Sequence, residues 1–400
     1  MREYVQYYIW LQMALGIYDS KADDLLLSFG SAQKVFEAGE AAWKATGLLE
    51  EKDLFLLSKT PLGDAQKIVE KCDRLEIDIL TPEDDAYPDR LRGIYQKPMA
   101  LFIKGTLPDI DDEVLVTVVG TRSVTEYGRQ VAYSLSKRLA MSGAVIVSGL
   151  AYGVDTCAHR GALDGGGRTI AVMGCGVDYN YPAGNRKLKE EILQNGCIIS
   201  EFLPGTAPIP SHFPVRNRIL SGLSLGTLVV EAPMKSGALI TARHALEQGR
   251  DVFAVPGNIS SKGSQGPNRL LKDGAKPVTR SSDILEEYEQ IYPHRIKINQ
   301  PAVRSYTQPD RAVEPELRRV AQPEGEAYQT KADAGVTLPP DLSGDAAAVY
   351  EALAKKPMHV DTLIETLNLL PRAVLSTLTE LELLGLVESR PGKVYALKQK

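Results

Sequence analysis

The sequence predicts an α/β protein centred on a doubly wound parallel sheet, with a small helical domain before it and a winged helix after it. Three observations carry this. Between residues 114 and 285, short runs rich in β-branched residues alternate with stretches of helical periodicity, as expected for strands buried on both faces and joined by helices. The preceding segment reads as short helices punctuated by glycine. The last segment reads as three helices followed by two short apolar stretches, the pattern of a winged helix.

Residues 1–80 place Leu11, Leu15, Leu25, Leu26, Phe29, Val35 and Phe36 at helical spacing, with Gly16, Gly30, Gly39 and Gly47 between the helices. This suits a small module of the helix-hairpin-helix or SAM-like kind, with a plain packing module as the alternative. Within the second domain, residues 81–290, the expected strands are Val114–Val119, Ala144–Val147, Thr169–Met173, Cys197–Ser200, Thr227–Val230 and Val252–Val255. Val131, Leu135 and Leu139 mark one of the intervening helices. Residues 291–342 hold seven of the 24 prolines and few large apolar residues, the composition of an extended linker. In residues 343–400, helices are expected at Ala347–Ala354, His359–Leu367 and Arg372–Leu384, with a hairpin about Arg390-Pro391-Gly392-Lys393.

Composition narrows the function. The chain has 400 residues, 44% hydrophobic and 24% charged, which excludes a mostly disordered chain and a multispan membrane protein. Its 34 glycines show no triplet period, so it is not collagen-like. Cys72, Cys157, Cys175 and Cys197 form no C-x-x-C pair and read as buried thiols of a reducing compartment. The apolar start, Met1 to Tyr18, lacks a basic n-region and a small-residue cleavage site, so no signal peptide is expected. The protein is expected to be cytoplasmic, with no membrane association. Net charge is −5, yet residues 114–285 hold 19 Lys and Arg against 12 Asp and Glu. A basic sheet domain inside an acidic chain points to an anionic partner.

In open α/β sheets, ligands bind beyond the carboxyl ends of the strands. After the first strand come Gly120, Thr121 and Arg122, then Tyr127-Gly128 opening a helix. Glycine allows close backbone approach, the helix N-terminus offers free N–H groups, and Arg122 adds a charged fork, together a phosphate site. After the second come Ser148-Gly149-Leu150-Ala151-Tyr152-Gly153-Val154-Asp155, then His159. Ser148 and Asp155 read as helix caps, Gly149 and Gly153 as open backbone, and Asp155–His159 as a structural pair at i, i+4. After the third, Gly174-Cys175-Gly176 begins like a dinucleotide fingerprint, but Tyr179 stands where its last glycine belongs.

Phe213-Pro214-Val215-Arg216-Asn217-Arg218 offers stacking and phosphate contacts. One of Arg216 and Arg218, in either assignment, is expected to meet ligand and the other to be structural, paired with a carboxylate such as Glu231. After the fifth strand, Lys235 stands beside Ser236-Gly237, another anion-ready helix start that continues to Thr241. After the sixth, Asn258, Ser260, Lys262 and Gly263 form a polar loop suited to face ligand. No metal motif, P-loop or nucleophile elbow occurs.

Together these segments resemble the bacterial DNA-processing protein A family (DprA, also called Smf). The resemblance rests on Gly120-Thr121-Arg122 with Tyr127-Gly128, on Ser148 through Asp155 with Ala158-His159, and on Phe213-Pro214 with Arg216-Asn217-Arg218. Glu231-Ala232, Ser236 through Ala242, and Val255-Pro256-Gly257 complete it, in order across most of residues 81–290. It implies an extended Rossmann-like domain that binds single-stranded DNA, forms a homodimer through that domain, and loads the recombinase RecA during natural transformation. It implies no cofactor and no catalysis. Arg122 and Phe213 map to family DNA contacts. Some members carry a basic residue shortly before that phenylalanine; here Ile209-Pro210-Ser211-His212 holds no Lys or Arg, and Lys235 and Lys262 are candidates to compensate.

Two other functions compete. The fold also resembles hydrolases that release a base from a nucleoside monophosphate, but their Pro-Gly-Gly motif is absent and Leu223-Ser224-Leu225-Gly226-Thr227 stands there, with Glu231 one residue too far on. The other is a small-nucleotide sensor using the same rim. The winged helix balances seven basic against seven acidic residues over 344–400. Arg372, Glu380 and Glu382 on its third helix favour a protein contact or weak DNA contact.

Overall fold

The computed structural model describes residues 2–297, 345–367, 369, 371–384, 386–390 and 394–398. It divides into two units, Met1–Val303 and Arg304–Lys400. The expected linker lies outside the described residues from 298 onward.

The first unit opens with five helices: α1 (Val5–Leu15), α2 (Ser20–Phe29), α3 (Ala32–Ala45), α4 (Glu51–Lys59) and α5 (Leu62–Arg74). Asp19 caps α2 through Lys21 N–H, and Gly30 ends it at φ 89°, where its N–H bonds Leu26 O. Leu11, Leu25 and Val35 are fully buried, and Leu15, Leu26, Phe29 and Phe36 pack against them.

The sheet follows, as β1 (Asp78–Leu80), α6 (Asp89–Arg92), β2 (Leu101–Gly105), β3 (Leu115–Val119), α7 (Glu126–Met141), β4 (Val145–Ser148), α8 (Val154–Asp164) and β5 (Thr169–Val172). It continues through α9 (Arg186–Gln194), β6 (Gly196–Ser200), α10 (His212–Leu223), β7 (Gly226–Val229), α11 (Gly237–Glu247), β8 (Asp251–Ala254), α12 (Gln265–Lys272), β9 (Lys276–Pro277) and α13 (Ser282–Leu285). The nine strands run in the order β1-β2-β6-β5-β4-β3-β7-β8-β9. From β6 to β9 every pairing is parallel, with Val116 opposite Ile146 on one side and Gly226 on the other. Each expected strand is present within a residue of its expected ends.

Alternation along the strands fills two layers. Leu115, Val119, Val145 and Val147 face α10 and α11, whereas Val116, Val118 and Ile146 face α7 and α8. The antiparallel edge, β1 and β2, is an addition to the sequence reading; its strands are short and its pairing, Ile79 with Phe102, is long-range. The five helices do not form a separate core. Trp10, Leu11 and Leu57 share one apolar cluster with Phe102, Ala171, Met173 and Ile198 of the sheet.

The second unit holds α14 (Asp345–Lys355), β10 (Met358–His359), α15 (Val360–Leu367), α16 (Pro371–Leu383), β11 (Val387–Arg390) and β12 (Val394–Leu397). Three helices pack Val349, Leu353, Leu363, Val374 and Leu378 against a small sheet ordered β10-β12-β11, which is a winged helix. The hairpin tip, 391–393, and the side chains of Arg372 and Glu380 lie outside the described residues.

All four cysteines are free and buried. Burial pushes Cys72 up to about 12 and Cys157 and Cys175 up to about 11, so these are neutral thiols at physiological pH. Among the described residues, no helix is long and apolar enough to cross a membrane, and no cluster of His, Cys, Asp and Glu is arranged to hold a metal ion.

Candidate functional site

The strand order reverses between β3 and β7, so their loops meet at the switch point of the sheet. Glu231, only 2% exposed, fills that crevice. Its carboxylate accepts Thr125 N–H at 2.9 Å and Thr125 Oγ1–H at 2.6 Å, at the start of α7. Its backbone oxygen accepts Thr121 N–H at 2.6 Å. A Cβ on Gly128 would sit 2.3 Å from the Glu231 carboxylate, so glycine there makes room for it.

This corrects two expectations. The N-terminus of α7 is not an open phosphate site, because the protein's own carboxylate already occupies it. Nor does Glu231 pair with Arg216 or Arg218. The loop after β3 is held on its other side as well, where Thr121 O accepts Val154 N–H, the first amide of α8, at 3.2 Å. Gly120 and Gly153 are needed for this closeness: a Cβ would meet Val154 at 2.5 Å and Thr121 O at 2.3 Å respectively.

What remains open is the side-chain surface of the rim. Arg122 is exposed, and its guanidinium carbon lies 5.4 Å from the centre of the half-buried Phe213 ring. Tyr181 packs on the same ring at a centroid distance of 5.5 Å. Gly174 lets the ring approach, since a Cβ there would lie 3.0 Å from it. His212, just before Phe213, stacks on Phe202 at 4.1 Å, and its Nδ1 lies 3.2 Å from Gly174 O. Tyr152 and Tyr179, on the loops after β4 and β5, are both well exposed. Sequence reasoning did not assign these tyrosines to the site, although each follows a strand within a glycine-rich or proline-rich loop.

The two arginines after Phe213 are both buried, so the expectation that one meets ligand is not met. Arg218 donates to both oxygens of Glu201, at 2.7 and 2.9 Å. Arg216 passes beneath the rim and donates from Nη1 to Gly149 O at 3.1 Å and to Val172 O, joining the ends of β4 and β5. Burial holds Arg216 down at about 10, so it stays charged at neutral pH. Asn217 is engaged too, accepting from Arg216 Nε and donating to Gly237 O, both at 3.2 Å.

Ser148 and Asp155 do not cap helices. Ser148 is fully buried and donates to Val118 O at 2.6 Å, which also removes it from any ligand surface. Asp155 accepts the N–H groups of Gly149 at 3.1 Å and Ala151 at 3.4 Å, shaping the loop from below. Burial raises Asp155 to about 6, against the pull of Arg216. The expected Asp155–His159 pair is absent: His159 Nδ1 bonds Thr169 Oγ1 at 2.7 Å, and burial lowers its pKa to about 3. Gly149 is buried, and a Cβ there would lie 2.5 Å from the Arg216 guanidinium.

On the far side of the rim, Lys235 and Lys262 are exposed. Ser236 caps α11 through Ala238 N–H at 3.3 Å, with the exposed Gly237 next to it, while Thr241 is buried in that helix. Asn258 folds its own loop, its side chain accepting from Ser260 N–H and Oγ–H at 3.0 and 2.9 Å. The stretch that replaces the hydrolase motif is structural: Leu223 and Ser224 end α10, and Gly226 and Thr227 are buried in β7. The surface is therefore cationic and aromatic, with the carboxylates of Glu231 and Asp155 turned inward, an arrangement that can hold a flexible polyanion bearing flat rings.

Known proteins resemble this chain along much of its length. The family model described as DNA recombination-mediator protein A matches residues 78–289, and the DprA winged helix domain model matches residues 334–393. The chain is 47% identical over 206 residues to the DNA processing protein DprA of Streptococcus pneumoniae, covering 52% of this chain and 72% of that protein. It is 35% identical over 377 residues to protein Smf of Synechocystis, covering 90% and 92% respectively. The X-ray structure of DNA processing protein A from S. pneumoniae superposes with a TM-score of 0.63 at 36% identity, over 70% of this chain and 97% of that one.

Proposed function

The chain belongs to the DNA recombination-mediator protein A family, and from that premise we propose that it holds single-stranded DNA on the rim of its parallel sheet, without chemistry, and passes that strand to RecA during natural transformation. The observation that carries the reading is the exposed Arg122 lying over the half-buried Phe213 ring. A guanidinium beside an accessible ring offers one phosphate contact and one stacking platform within a nucleotide's reach. Tyr152, Tyr179 and Tyr181 extend the aromatic surface, and Lys235 and Lys262 extend the cationic one. A flexible single strand can turn its bases to these rings, whereas a duplex keeps them stacked inside. The chain acts in this reading as a cytoplasmic homodimer formed through the sheet domain, and its winged helix serves a protein contact or weak DNA contact.

Competition tests the binding step. Protein bound to a labelled dT oligomer is challenged with an unlabelled single strand and with the matching duplex. The reading expects displacement by the single strand at far lower concentration, and equal displacement by both contradicts it. For the later step, RecA assembly on the same oligomer is expected to start sooner when the chain is present, and an unchanged lag removes the RecA role.

A further inference from the structure

The five N-terminal helices lie before the region matched by the recombination-mediator model, which begins at residue 78. We propose that this module is a brace for the aromatic half of the rim, and that Lys71 is its positioning residue. The proposal rests on the reading of that rim as the DNA surface.

Lys71, in the last turn of α5, reaches across to two rim loops at once. Its Nζ donates to Pro204 O at 2.9 Å in the loop between β6 and α10, and stands 3.5 Å from Asp178 Oδ2 in the loop after β5. Asp178 in turn accepts Gly205 N–H at 2.7 Å, and Gly176 N–H donates to Thr206 O at 3.0 Å, so the two loops are tied to each other. The first carries Phe202 and leads directly into His212 and Phe213; the second carries Tyr179 and Tyr181. Apart from Tyr152, which follows β4, these are the aromatic residues of the site. A second tie runs from α1, where the buried Gln12 donates to Glu201 O at 2.9 Å, at the base of the same loop. Both loops are irregular backbone, and such segments open most readily unless held. An ammonium bonded to a carbonyl and facing a carboxylate holds both with one side chain.

Bracing differs from contact in a measurable way. A lysine touching phosphate contributes to the salt dependence of binding, and a lysine acting through loop geometry does not. Lys71→Met and Asp178→Asn are therefore compared with the intact protein for dT-oligomer affinity at several salt concentrations. Hydrogen exchange of residues 173–182 and 201–211 is followed in parallel. Both variants are expected to bind three- to tenfold more weakly with an unchanged salt slope, and to exchange faster in both loops. Asp178→Asn is the sharper test, since removing a carboxylate from a DNA-facing loop strengthens binding if only charge matters. Lys71→Arg restores affinity to within about twofold, and the double variant is no weaker than the worse single, as for two members of one unit.

A reduced slope in Lys71→Met, or tighter binding by Asp178→Asn, overturns the proposal, as does unchanged exchange in the two loops. If the intact protein binds no oligomer, the DNA reading fails by itself, and loop exchange still decides whether Lys71 braces the rim.

Discussion

Arg218 and Glu201 form a two-pronged ion pair in the interior, with both side chains at most 3% exposed. The pair joins the middle of α10 to the residue just after β6, and the Tyr18 ring lies 5.2 Å from the guanidinium. Replacing Arg218 by Ala leaves Glu201 charged in a dry site and is expected to cost about 3–5 kcal/mol of stability. Urea denaturation measures this. Because the pair lies below the surface, a well-folded Arg218→Ala protein of normal stability contradicts the burial described.

Phe213→Ala separates stacking from packing. The ring is half-buried and touches Gly174 and Tyr181. Oligomer affinity is expected to fall by about 1–3 kcal/mol if a base stacks there, measured by titration with dT oligomer. A large drop in melting temperature with unchanged affinity assigns the ring to the core instead.

Asp155 makes stability depend on pH. Burial raises its folded pKa to about 6 from the ordinary 3.8 of a solvated Asp, so the folded state binds more protons than the unfolded one between these values. Its contribution is fully present below pH 4 and is lost as pH rises through 6. The loss is on the order of 2–3 kcal/mol. Arg216 stays charged throughout that window. Asp155→Asn is expected to flatten the slope of unfolding free energy between pH 4 and 6 relative to the intact protein. An identical slope in both places the carboxylate in contact with water.

Gly149→Ala tests the packing beneath the rim. Its Cβ would fall 2.5 Å from Arg216 Nη2, in a site where that guanidinium is anchored to two carbonyls. A destabilisation of about 1–3 kcal/mol is expected, as for overpacking elsewhere, read from the midpoint of thermal unfolding. A neutral substitution means the guanidinium is free to move aside.

The central strands could be read because strands buried on both faces are written as near-continuous apolar runs, as at Leu115–Val119 and Ile198–Ile199. The edge pair β1–β2 could not, since three residues, Asp78–Leu80, carry no periodicity and their partners lie more than 20 positions away. Arg122 stood out as a candidate because it follows the first parallel strand in a glycine-containing loop, and Phe213 because it opens a helix that carries two arginines. The burial of Arg216 and Arg218 was not, because their partners are contributed by other strands: Gly149 and Val172 for one and Glu201 for the other. Glu231 misled for a related reason. A carboxylate after a strand reads as a partner for one of the arginines, and only the meeting of β3 with β7 shows it sealing the start of α7.

The most direct measurement is fluorescence anisotropy of a labelled dT oligomer with intact protein and Arg122→Ala, across a range of salt concentrations. Intact protein is expected to bind with strong salt dependence, and the variant to bind more weakly with its slope reduced by about one phosphate contact. A folded Arg122→Ala protein that matches the intact one in affinity and slope would contradict the placement of DNA on this rim.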